Sequence, residues 1–116
     1  MELNEQQAAK IMTAASLMLR ERERQVKTGR TQERDALYVG AELSRAAAAY
    51  ATPQGYRRHN GDGVPTMYPW HPSTFKPEPQ TYEGRLVELA KAGALILADM
   101  ERIIAKRDAE VERRGE

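Results

Sequence analysis

The sequence predicts an all-α protein: a three-helix antiparallel bundle with one long loop, rich in proline and aromatic residues, between the second and third helices. Three observations predict it. All six prolines fall within residues 52–80, with none in residues 1–51 or 81–116. Proline removes a backbone donor and fixes φ, so the middle of the chain cannot be a continuous helix or a central strand. The flanks are rich in Ala, Leu, Glu, Arg and Lys, which are good helix formers. Within those flanks, apolar residues recur at three- and four-residue spacings.

The first helix is predicted over about residues 4–28. Asn4 is the expected N-cap, and Glu5 is favourably placed in the first turn. Ala8, Ile11, Met12, Ala15, Met18, Leu19 and Val26 define one apolar stripe. Arg20 to Arg24 alternates basic and acidic residues and reads as a solvated face. Gly29 is the expected stop. The second helix is predicted over about residues 32–51, capped by Thr31, with Val39, Leu43, Ala46, Ala47 and Tyr50 on one side. Gly40 and the alanines 46–49 remove bulk from it, which reads either as a packing seam or as plain helix propensity. The third helix is predicted over about residues 82–113, capped by Thr81. Leu86, Leu89, Ala90, Gly93, Ile96, Leu97, Met100, Ile103 and Ile104 keep the helical period for almost five turns. Gly93 costs about 1 kcal/mol relative to alanine in a helix interior and reads as the site of a close crossing. Beyond Ala105 the pattern turns polar, so residues 106–116 read as a frayed or projecting tail.

A chain of 116 residues defaults to one domain, residues 1–116. Hydrophobic residues at 41% and charged residues at 30% exclude a disordered or membrane-embedded class. No apolar run approaches the roughly 18 residues of a membrane span. The start, Met1-Glu2-Leu3-Asn4-Glu5, lacks the basic and apolar regions of a signal peptide. With no cysteine, disulfides, thiolate zinc sites and cysteine nucleophiles are all excluded. A net charge of +1 and the lack of a helix with a one-sided basic face argue against nucleic acid as a partner. The thin, alanine-rich core predicts a homo-oligomer, with Ala47, Gly93 or Leu97 near the contact.

The loop carries the chemistry. Five of the seven aromatic residues, Tyr56, Tyr68, Trp70, Phe75 and Tyr82, lie there or at its end, with both histidines, His59 and His71. Tyr68-Pro69-Trp70-His71-Pro72 is stiff, because each proline also restricts the residue before it. Trp70 and Phe75 read either as plugs for the end of the core or as a stacking surface beside cationic side chains. In the second case the ligand is nucleotide-like. Trp70 then stacks on the base with His71 beside it, Arg57, Arg58 and Lys76 hold phosphate, and Glu42 makes a polar contact. The turn Arg57–Gly63 offers two arginines beside glycine-exposed amides, but it is not a P-loop, because the required Lys and Ser/Thr are missing.

No metal or cofactor is expected on the leading reading, since two histidines twelve residues apart match no common ligand spacing. The alternative is a divergent magnesium-dependent nucleotide phosphohydrolase using Asp35, Glu42 and Asp99. Helical pyrophosphohydrolases of the MazG type carry a Glu-Glu-x-x-Glu cluster followed by a Glu-x-x-Asp pair, and neither motif exists here.

The order of motifs resembles a family of small bacteriophage and prophage proteins. The matching pieces are Glu21-Arg22-Glu23-Arg24-Gln25, Gly40-Ala41-Glu42-Leu43 leading into Ala46–Ala51, Tyr68-Pro69-Trp70-His71-Pro72, Phe75-Lys76-Pro77, Arg85-Leu86-Val87 and Lys91 to Ala98. Relatives often carry His-Asp-Asp and a further His before the second helix, where this chain reads Glu33-Arg34-Asp35-Ala36-Leu37-Tyr38. The resemblance implies a viral, non-enzymatic accessory protein in the host cytoplasm. Counter-defence is the expected role, through binding a nucleotide signal or a host defence protein.

Overall fold

The computed structural model describes residues 2–29, 41–59 and 61–115. These residues form three α-helices: α1 Glu5–Lys27, α2 Glu42–Ala51 and α3 Tyr82–Arg113. Two single-turn 3-10 helices, Gln54–Tyr56 and Pro72–Thr74, punctuate the loop. Its one sheet-like feature among the described residues is a bridge between His59 and Pro65. The protein is therefore all-α.

Local chemistry explains the helix ends. Asn4 and Gln7 form a reciprocal capping box, each side chain accepting the other's backbone N–H, at 2.8 and 3.2 Å. The Thr81 hydroxyl accepts the Gly84 N–H at 3.0 Å and starts α3. Past α1, Gly29 takes φ 103°, a conformation glycine adopts without a Cβ clash. α2 is shorter than its sequence pattern. Ala41 has φ 63°, which breaks helical continuity, so α2 begins at Glu42 rather than near Gln32. Thr31 and residues 32–40 lie outside the described residues. At the other end of the chain the expected fraying is corrected. α3 stays helical to Arg113 while its last turns expose most of their polar side chains.

α3 is the spine on which both α1 and α2 pack. Leu43, Ala46, Ala47, Ala49 and Tyr50 of α2 are buried with Ala92, Leu95 and Ala98 of α3. The small-residue seam is thus internal to one chain. Ala47 and Gly93, two of the residues expected near a contact between copies, are buried within one chain, while Leu97 is half-buried. Gly93 is a close-approach site, and its visitor is Met18 of α1, whose Sδ would lie 2.6 Å from an added Cβ. The apolar stripe of α1 does not turn inward as expected. Ile11, Met12, Leu19 and Val26 are exposed, whereas Arg22 and Gln25 are buried. Arg22 grips Glu101 through Nε at 2.6 Å and Nη2 at 3.2 Å, so the Glu21–Gln25 segment is not a solvated face.

The C-terminus of α2 is closed by two arginines. A helix leaves its last four carbonyls without partners, and here each one finds a donor. The Thr52 N–H reaches Ala48 at 3.0 Å, and the Arg57 Nε donates to the Ala49 oxygen at 2.9 Å. Arg57 and Arg85 both donate to Tyr50, at 3.3 and 2.9 Å, and Arg85 also donates to Ala51. Glu88 of α3 balances both cations, at 3.1 Å from Arg57 and 3.2 Å from Arg85. Side-chain exposure is only 2% for Arg57 and 3% for Glu88. Burial pushes the Glu88 carboxyl up. The Glu78 N–H and the two guanidinium groups outweigh it and hold the carboxyl below its ordinary value.

Two predictions follow from these contacts. The lowered Glu88 value means its contribution is complete above about pH 4.3 and is lost as pH falls through the folded value. Glu88→Gln should lose about 3 kcal/mol near neutral pH, because the buried Arg57 and the half-buried Arg85 lose their counter-charge. Its stability should also fall less steeply below about pH 4.3 than that of the parent chain, as urea titrations at several pH values will show. Gly84 admits no Cβ, which would lie 2.0 Å from the Pro79 carbonyl oxygen. Gly84→Ala should cost about 1–3 kcal/mol in thermal melts. Gly93→Ala should cost less, because the flexible end of Met18 can swing aside.

Candidate functional site

A ladder of rings runs from α2 along the loop. Tyr50 stacks on Phe75 with centroids 4.8 Å apart and planes 26° apart. Tyr68 meets Tyr50 edge-on at 6.2 Å, Phe75 at 5.1 Å and Trp70 at 5.8 Å. Edge-to-face pairs place the positive ring edge on the negative face of the neighbour, adding to the burial they make. Hydrogen bonds fix the ladder. The Thr74 hydroxyl donates to the His71 carbonyl at 2.7 Å, so its oxygen receives the Tyr68 O–H at 2.6 Å. The Ser73 N–H donates to His71 Nδ1 at 3.1 Å, which leaves the neutral imidazole's proton on Nε2.

This ladder forms one wall of a cleft of about 800 Å³, completed by the end of α1 and by α3. Lys91 of α3 lies 5.4 Å over the Tyr50 ring and donates to the Lys76 carbonyl at 2.7 Å. The Tyr50 hydroxyl accepts the Lys76 N–H at 2.9 Å. The backbone of Lys76 is thereby pinned from both sides, while its side chain borders the cleft with no ion pair among the described residues. On the α1 side, Arg24 pairs with Glu21 at 2.5 Å. Gln25 is buried there, and its side-chain oxygen has no hydrogen-bond partner among the described residues. A buried acceptor left unsatisfied costs about 1–3 kcal/mol. Taken together, the cleft presents ring faces and edges, Lys76, the Lys91–Glu78 pair at 3.5 Å, the Arg24–Glu21 pair and a buried amide.

The structure brings Trp70, His71 and Lys76 together at this cleft. It does not bring the other expected ligand-binding residues there. Arg57 is committed to α2 and Glu88, and its guanidinium also lies 5.4 Å over Phe75, so it cannot hold phosphate. Arg58 borders a separate pocket of about 300 Å³ with Pro65 and Met67. The neighbouring turn is closed on itself, with the Thr66 N–H on the Arg58 carbonyl at 2.8 Å and the Val64 N–H on Asp62 at 2.9 Å. Glu42 opens α2 away from the cleft lining. Phe75 is buried as a plug, while Trp70 packs on the core and also lines the cleft.

Of the alternative catalytic set, Asp35 lies outside the described residues. Asp99 is held by Arg102 at 2.9 Å and by the Ser44 hydroxyl at 3.3 Å. Among the described residues, no three His, Asp or Glu side chains are grouped to hold a metal ion. Sequence reasoning missed Tyr50, Lys91, Arg24 and Gln25. The one available signal was the run Glu21–Gln25, whose irregular mixture of charge and amide departs from an ordinary solvent face.

Comparison with protein-family models, with curated proteins and with solved structures gives no match for this chain. No described helix is long and apolar enough to cross a membrane.

Burial pushes the Tyr50 hydroxyl up to about 12, against the opposing pull of the Lys76 N–H. The neutral phenol therefore supports the fold fully below about pH 10, and this support is lost as pH rises through the folded value. Tyr50→Phe should delete a late-titrating phenol from the ultraviolet phenolate titration, and should flatten the alkaline limb of stability.

Proposed function

We propose that the protein is a non-enzymatic binding module of phage-accessory type that holds a planar, anionic, nucleotide-like ligand in the aromatic cleft. The observation that carries the reading is the convergence of Trp70 and Tyr68 with Lys76, unpaired among the described residues, on one cleft, beside Lys91, which Glu78 partly balances at 3.5 Å. Stacking on an aromatic side chain is worth about 1–3 kcal/mol per base, and lysine supplies charge complementary to phosphate. The buried Gln25 oxygen supports the same reading, because a ligand N–H would satisfy it. The role is sequestration of a nucleotide signal in host defence, a reading supported by the resemblance of the motif order to phage proteins. The antiparallel order of the helices belongs to this proposal. It is supported by α2, whose start meets Asp99 while its end meets Arg85.

Trp70 is the chain's single tryptophan, so intrinsic fluorescence reports on the cleft directly. A panel of mono-, di- and cyclic nucleotides should contain a member that changes this fluorescence. At a hundred times its Kd the same member should stabilise the fold by about 2.7 kcal/mol. Lys76→Ala should weaken that binding several-fold without lowering the melting temperature of the free protein. No response from any nucleotide in either assay overturns the small-ligand reading and leaves blockade of a host protein.

A further inference from the structure

Among the described residues, most of the buried apolar side chains are small and many large aliphatic ones are exposed. Of the eleven buried hydrophobic residues among those described, seven are alanine, and only Leu43, Tyr50, Phe75 and Leu95 are large. On the outer side of α3, by contrast, Leu86, Leu89, Ile96, Met100, Ile103 and Ile104 are between 39% and 53% exposed. The first five, with Gly93, follow each other at steps of 3, 4, 3, 4 and 3. That alternation is the heptad pattern of a helix that pairs with another helix. Met18 of α1 lies against the glycine position, and α2 covers the face carrying Leu95 and Ala98. α1 thus crosses the stripe at Gly93 and flanks Leu86, while neither helix covers Leu89, Ile96, Met100 or Ile103.

We infer that this stripe of α3 is the interface between two copies of the chain. The area fits. Six half-exposed aliphatic side chains present on the order of 500 Å² per chain, so two copies bury about 1,000 Å², where specific interfaces begin. A monomer rarely leaves a contiguous apolar patch beyond roughly 300–600 Å². The core argues for a second copy over any other partner. With only four large side chains fully buried among the described residues, covering the stripe adds apolar burial to a thin core, and the chain's own copy is the partner always present. Charge does not oppose pairing, because two copies bring together only +1 each. In a symmetric pair the same patch serves both sides. Ile96 stands at the middle of the stripe and meets its counterpart whether the two helices run parallel in register or antiparallel.

The absence of cysteine gives a clean test. Light scattering should find twice the 13.1 kDa chain mass at micromolar concentration. The Ile96→Cys variant should close an intermolecular disulfide on mild oxidation, whereas Arg58→Cys, placed on another pocket, should not. Ile96→Glu combined with Ile103→Glu should dissociate or unfold the protein, with a midpoint that no longer rises with concentration. A folded wild-type monomer overturns the inference. So does a dimer whose Ile96→Cys form cross-links no better than the Arg58→Cys control. The cross-linking arm stands even where the double glutamate variant fails to fold.

Discussion

The end of α2 and both ends of the loop hang on the charge cluster of Arg57, Glu88 and Arg85. Its first effect is on α2. A helix of ten residues is too short to persist alone in water, and its C-terminal carbonyls carry a partial negative charge. Two guanidinium groups satisfy those carbonyls, and one carboxylate from α3 balances the guanidinium groups. Because Arg57 and Glu88 are shielded from water, each is held by the cost of leaving the other unpaired rather than by its net attraction. Its second effect is on the loop. Arg57 belongs to the loop, and the Glu78 N–H donates to Glu88 at 3.1 Å, so both ends of the loop are tied to the same carboxylate.

Between those ties the loop supplies the volume that the helices lack. The α2–α3 seam is built from methyl groups and allows close approach, but it leaves little large apolar surface to bury. Phe75, Tyr68 and Trp70 fill the end of that seam, with Tyr50 as the shared ring. The prolines make this affordable, since a chain with restricted φ loses less conformational entropy on ordering. The same rings that complete the core thus form the cleft wall. Stability and binding draw on one structure here, and Trp70 takes part in both.

α1 has a different relation to the rest. It touches α3 through Met18 and the Arg22–Glu101 pair, while the apolar residues of its first half remain exposed. The principal extents of 51 × 44 × 27 Å reflect this spread. Three helices side by side, at about 8–10 Å between axes, would be narrower in the second dimension.

The sequence by itself determined the features that depend on neighbours within four residues. Asn4 and Thr81 cap helices because their side chains reach the next backbone N–H groups. The prolines exclude a long helix from residues 52–80, and Gly29 ends α1 through its own φ. Tertiary structure decided what distant partners control. Arg57 and Lys76 look alike in sequence, two cations close to aromatic residues. Arg57 is buried because the open end of α2 and Glu88 surround it, while Lys76 has its backbone pinned and its side chain left at the cleft. A helical period likewise marks Ile96 and Ala92 as apolar without saying which one meets α2. The small alanine goes inward because the axes approach closely there, and the branched isoleucine is left outside. Local hydrogen bonds and fixed dihedrals are written residue by residue, whereas burial depends on which surfaces meet, and only the folded chain brings those surfaces together.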